Sequence, residues 1–149
     1  MSAREHEWDL RFLELAKHIS GWSKDPSTRT GAVIVDQDRR VVSVGFNGLP
    51  RGVEDTTERL WDREQKYKMM VHCDRNALLF ARGSVSGCAM YAWPLGPCAS
   101  CAAMIIQAGI RRVVSPPLPE RLRERWGLDM GLTREMFKEV GIEWEEVRE

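Results

Sequence analysis

At 149 residues the chain is one domain's worth of polypeptide and is expected to form a single domain over residues 1–149. Its 22 basic side chains are balanced by 22 acidic ones, which argues against an electrostatic grip on long nucleic acid but leaves room for a small anion held by a local donor cluster. No apolar run approaches the ~18 residues of a membrane span, and four cysteines without a signal segment point to metal or catalysis in a reducing, cytoplasmic setting rather than to a disulfide framework.

Trp8, Phe12, Leu15, Ile19 and Trp22 recur at alternating spacings of four and three, which predicts an amphipathic helix ending near Gly21 with both tryptophans in the core. Ala32 to Val35 and Val41 to Phe46 are rich in β-formers and flank the polar turn Asp36-Gln37-Asp38-Arg39, so they read as an antiparallel hairpin. Asn47 to about Tyr67 is a long connection, and its length favours a functional loop, partly helical around Glu58 to Glu64.

A helix is predicted over Asp74 to Arg82, a short buried strand over Ala89 to Trp93, and a second helix over Cys98 to Ala108, stopped by Gly109. Arg112 to Ser115 reads as a strand. Pro116, Pro117 and Pro119 then break the chain before a helix near Leu122 to Trp126 and another around Arg134 to Val140, and Ile142 to Val147 alternates like an edge strand. This order predicts an α/β fold, a three-layer α/β/α sandwich on a mixed sheet of about five strands.

The chemistry concentrates in two short motifs. Cys98 and Cys101 stand three apart at a helix start after Pro97, where one face can present both sulfurs and the helix N-terminus favours thiolates. Alone, such a pair reads as a zinc site no more readily than as a redox couple and buried thiols taken together. His72, ahead of another helix, supplies an imidazole that completes a Cys₂His set, and three protein ligands leave a tetrahedral position for water, as in a catalytic zinc site. Asp74, two residues after His72, can stand beside that water without ligating the metal and shuttle its proton. Cys73 reads as packing.

Other positions are open to a binding or a structural reading. Asn47 sits where a strand gives way to a turn, and Asn-Gly is also a common turn dipeptide. Trp93, just ahead of Pro94-Leu95-Gly96-Pro97-Cys98, is placed near the pocket, and Arg29, Arg51, Arg111 and Arg112 are available to a phosphate with none singled out. Trp126, Met130, Met136 and Phe137 could bury an interface or finish the core.

His72-x-Asp74 followed by Pro97-Cys98-x-x-Cys101 resembles the H-x-E … P-C-x-x-C signature of zinc nucleobase deaminases. Ser23-Lys24-Asp25-Pro26, Gly31 to Val35, Gly45 to Gly52, Lys66-Tyr67 and Ile105 to Ile110 are similar, more narrowly, to the deoxycytidylate (dCMP) deaminase family, over about Leu10 to Val114. The chain departs from that pattern where Asp74 replaces a glutamate and Cys73 an alanine.

The resemblance implies a hydrolase acting on the C–N bond of a cyclic amidine, converting dCMP to dUMP and ammonia with one zinc per chain. Asn47 would hold the sugar. A magnesium-bound triphosphate effector, dCTP or dTTP, would engage Lys24, Asn47, Gly48 and Arg51, and the protein would be a homo-oligomer. Two rivals stand beside it: a deaminase of another base, nucleoside or modified nucleotide, and a catalytically impaired, zinc-containing nucleotide-binding protein marked by Asp74.

Overall fold

The computed structural model describes residues 2–149. Helix α1 (Ala3–Ser20) opens with a capping box, in which the Ser2 hydroxyl accepts from the Glu5 amide while the Glu5 carboxylate accepts from the Ser2 amide. Its buried face is Phe12, Leu13, Ala16 and Ile19. Trp8 is half-buried, and Trp22, expected in the core, is 52% exposed because the helix ends at Ser20 and the 3.6-residue period no longer aims the side chains beyond it.

Strands β1 (Gly31–Val35) and β2 (Val41–Phe46) form the expected hairpin. The connection after Asn47 folds into two short helices, α2 (Thr57–Trp61) and α3 (Arg63–Met69), with Asp62 ending the first and capping the second. Then come α4 (Cys73–Phe80), β3 (Ala89–Trp93), α5 (Ala99–Ala108) and β4 (Arg112–Ser115).

The C-terminal part differs from expectation. The two helices foreseen there are one, α6 (Arg123–Val140), entered through a 3₁₀ turn over Glu120–Leu122 and followed by β5 (Glu143–Glu146). Gly127 and Gly131 lie inside it, each costing about 1 kcal/mol relative to alanine. Burial of Met130, Thr133 and Phe137 along one face outweighs that cost.

The sheet order is β2-β1-β3-β4-β5, antiparallel across β2, β1 and β3 and parallel across β3, β4 and β5. All five residues of β1 are buried, because the two faces of the strand serve different cores. Ala32 and Ile34 join Met90 and Val113 under α4, α5 and α6, where Ala77, Ile105 and Phe137 pack. Val33 and Val35 join Tyr91 and Val114 under Phe12, Leu13 and Ala16 of α1. The architecture is therefore the expected α/β/α sandwich with a mixed five-stranded sheet. Among the described residues no helix is long and apolar enough to cross a membrane.

One glycine sets the seat of α4. A Cβ on Gly45 of β2 would overlap the Cys73 carbonyl oxygen and the Ala77 amide nitrogen, so its absence lets the first turns of α4 lie directly on the sheet.

Candidate metal centre and its cavity

His72 and Cys98 occupy the same kind of position: each is the extended N-cap residue of its helix, and neither side chain caps that helix. Both side chains are thereby free to turn elsewhere, and they turn toward each other. The His72 Nδ1 lies 3.5 Å from the Cys98 Sγ and 3.3 Å from the Cys101 Sγ, and all three donor atoms fall within 4.8 Å of one another. A tetrahedral zinc bound at ordinary lengths places its nitrogen and sulfur donors about 3.6 Å apart. The residues present thus fit the ion in donor chemistry and in spacing.

The electrostatics prepare one of the two thiols, Cys98, as a thiolate ligand. Hydrogen bonding to Cys101, and then to His72, holds the Cys98 thiol far below its ordinary range against the opposing effect of burial. The same hydrogen bond to Cys98, with burial, drives Cys101 the other way. The Cys98 interaction also raises His72, although burial opposes it. Arg75, one residue beyond Asp74, bonds the Ser100 hydroxyl at 2.9 Å and places a positive charge against both sulfurs. The start of α5 is braced from α6, since the Asp129 carboxylate accepts from the Ala99 amide at 2.7 Å and the Thr133 hydroxyl donates to the Pro97 carbonyl at 3.0 Å.

Asp74 is 3% exposed, with its carboxyl group near the Cys101 thiol. Burial raises its pKa; interaction with the Cys101 thiol works against the shift, and negative charge at Cys98 adds to it. It lines a cavity of about 100 Å³ together with His72, Cys98, Tyr67, Arg125 and Trp126. Cys73 shares that lining but sits in the core beside Ala77, with burial pushing its thiol up.

Asn47 also faces the cavity, with its amide heavily used by the protein. Its Oδ1 accepts from the Thr30 amide at 2.9 Å, while Nδ2 donates to the Thr28 carbonyl at 2.9 Å and to Asp25 at 3.3 Å. Asp25 is in turn paired with the buried Lys66 at 3.0 Å. Lys24 pairs with Asp55 outside the cavity, Gly48 bridges to Val71, and the Arg51 guanidinium lies 5.0 Å from the Phe80 ring.

Trp93 is a correction: it does not line the cavity. Strand alternation places it with Tyr91 on the α1 face, where Lys17 lies 5.4 Å from its ring. The aromatic side chain beside the metal donors is Trp126, edge-on to His72 with ring centroids 6.5 Å apart. Met130, Met136 and Phe137 complete the inner core. Of the arginines considered for phosphate, none lines the cavity, and Arg112 is committed to Asp9 through two bonds of 2.8 Å. Arg125, which does line it, lies beyond the stretch that carries the sequence resemblance and offers no spacing signal of its own.

Residues 6–116 match the family described as the cytidine and deoxycytidylate deaminase zinc-binding region. An Aliivibrio fischeri protein, an uncharacterized deaminase in the luxG 3′ region, is 43% identical over 137 residues, covering 92% of this chain and 91% of that one. Human deoxycytidylate deaminase is 38% identical over 116 residues; the match covers 72% of this chain and 64% of the human protein's length. The dCMP deaminase of cyanophage S-TIM5, crystallised with dCMP and dUMP, shares the fold at a TM-score of 0.76 and 23% identity, over 99% of both chains.

Proposed function

The chain belongs to the family of cytidine and deoxycytidylate deaminases, and from that premise we propose that it hydrolyses the exocyclic amine of dCMP, with water as co-substrate and dUMP and ammonia as products. The observation that carries the proposal is the meeting of His72, Cys98 and Cys101 at one point on the wall of a cavity that also holds a buried carboxyl group, Asp74.

His72, Cys98 and Cys101 would hold the zinc ion. Zinc bound there supplies hydroxide at neutral pH by lowering the pKa of water toward ~7. The work of Asp74 is to carry protons. Its carboxylate takes one proton from the attacking water and delivers it to the ring N3 as C4 becomes tetrahedral, then takes the proton of the new C4 hydroxyl and passes it to the departing amine, and burial, which raises its pKa, favours the protonated form these deliveries need. Trp126 and Tyr67 supply aromatic wall for the ring, and Leu95 and Met130 exclude water beside it. The Asn47 amide, fixed by Thr30 and Thr28, keeps the end of β2 at the cavity rim and presents its remaining acceptor capacity to the sugar.

The test is a metal assay combined with ammonia release from a substrate panel. About one zinc per chain with turnover of dCMP is the expected result. Turnover of cytidine or an adenine compound with dCMP inert would overturn the substrate assignment, and a zinc-loaded protein that turns over nothing but binds nucleotides would favour a binding protein. Regulation by dCTP or dTTP with magnesium is a separate proposal resting on Lys24, Asn47, Gly48 and Arg51, and saturation curves for dCMP with and without the triphosphate test it. Assembly into a homo-oligomer is likewise tested by sedimentation.

A further inference from the structure

We propose that Arg125 of α6 recognises the phosphate of the nucleotide and thereby sets the preference for a nucleotide over a nucleoside. The inference rests on the reading of the cavity as a cytosine-nucleotide site and goes beyond it by naming the residue that reads the anionic group.

Arg125 lines the same cavity as His72 and Asp74. Its guanidinium is held between two aromatic side chains, 4.7 Å from the Tyr67 ring and 5.2 Å from the Trp126 ring. Such stacking fixes the plane of the fork and lowers the entropy lost when it binds. Trp126 is also the ring that meets His72 edge-on, so one side chain joins the metal end of the cavity to its cationic end.

The charge of Arg125 is unanswered. Among the described residues no carboxylate lies within ion-pair distance of it, and its Nε is sealed from solvent without a hydrogen-bond partner. Burial, and then the like charge of Arg63, press its pKa down, with only Asp25 acting in the other direction. A partly desolvated guanidinium left in this condition is completed by an oxyanion, and a planar fork suits phosphate oxygens. The other cation of the cavity wall, Lys66, is already matched by Asp25. A cytosine nucleotide carries its negative charge on phosphate, so phosphate is the group that Arg125 would meet.

The metal donors and Asp74 lie within the stretch that matches the family, residues 6–116, whereas Arg125 and Trp126 lie after it.

The experiment compares the zinc-loaded wild type with Arg125→Met and Arg125→Lys. It measures kcat/KM for dCMP and deoxycytidine, together with calorimetric binding of dUMP and deoxyuridine. For Arg125→Met the dCMP-to-deoxycytidine ratio should fall roughly ten- to a hundredfold, the scale of a hydrogen bond to a charged group. Affinity for dUMP should fall in parallel, and Arg125→Lys should recover part of both losses. Equal losses for nucleotide and nucleoside would overturn the proposal and leave Arg125 a packing residue, as would unchanged dUMP affinity. If the wild type releases no ammonia from dCMP yet binds dUMP in an Arg125-dependent way, the catalytic reading falls and phosphate recognition stands. If it binds neither dUMP nor dCMP, phosphate recognition falls as well.

Discussion

Replacing Asp74 by Asn separates proton transfer from everything else the side chain does. Asparagine has nearly the same volume, so a residue only 3% exposed is exchanged without opening a cavity, and the amide stays polar where the carboxyl group stood. What it cannot do is carry a proton. General acid–base help is worth about 10² to 10⁴ in rate, which at 1.36 kcal/mol per decade is roughly 3 to 5 kcal/mol of barrier. The expected outcome is a kcat for dCMP lower by that factor, with zinc still near one per chain and an unfolding midpoint close to wild type. Ammonia release under saturating substrate gives the rate, and atomic spectroscopy on the same preparation gives the metal. A variant that retained kcat within tenfold would refute proton transfer by Asp74. Parallel loss of zinc and rate would refute it too, and would make Asp74 a support for the ligands.

Three further substitutions and one treatment probe the same structure. Asp74→Glu lengthens the side chain by one methylene in a wall packed around aspartate; a displacement of about 1 Å can cost on the order of a hundredfold, so kcat should fall, and a gain would mark the aspartate as a handicap. Cys101→Ser should lose zinc and activity together. In the wild type a chelator should lower Tm, since a ligand at a thousand times its Kd stabilises by about 4 kcal/mol; a Tm unmoved by chelation would count against a metal coupled to folding. Asp9→Ala leaves the partly buried Arg112 without the carboxylate it binds twice at 2.8 Å, and breaking a buried pair costs about 3 kcal/mol, an upper figure for this one. Because neither residue lines the cavity, urea unfolding should shift while kcat of the folded enzyme holds.

Local spacing is the part of the structure that the sequence makes legible. Cys98 and Cys101 share a helical face by their separation alone, and His72 announces itself by standing just before a helix, which is where the structure has it. The strands are legible through their β-branched runs, and the double-sided burial of β1 through its unbroken apolar stretch. Trp93 escapes this logic because its nearness to Cys98 in the chain says nothing about which sheet face it takes; strand parity decides that, and it sends Trp93 with Tyr91 toward α1. Trp22 escapes it because periodicity does not hold past the end of the helix that creates it. At the C-terminus, two glycines and the gap between apolar clusters suggest a break. Contacts of Thr133 with Pro97 and of Asp129 with Ala99, distant in sequence, hold one continuous helix instead.

These contacts give α6 two duties that the metal motifs cannot reveal. Asp129 and Thr133 fasten the segment that presents Cys98 and Cys101, while Arg125, Trp126 and Met130 form part of the cavity wall. The metal donors and most of the cavity lining come from the part of the chain that matches the family, and these three residues come from the part beyond it. One helix thus both braces the segment that carries Cys98 and Cys101 and adds three side chains to the cavity lining. A change at Arg125 or Trp126 can alter what enters the cavity without touching a metal ligand, whereas a change at Asp129 reaches the ligands through the backbone of Ala99. The two kinds of substitution, one turn of helix apart, should be distinguishable by zinc content alone.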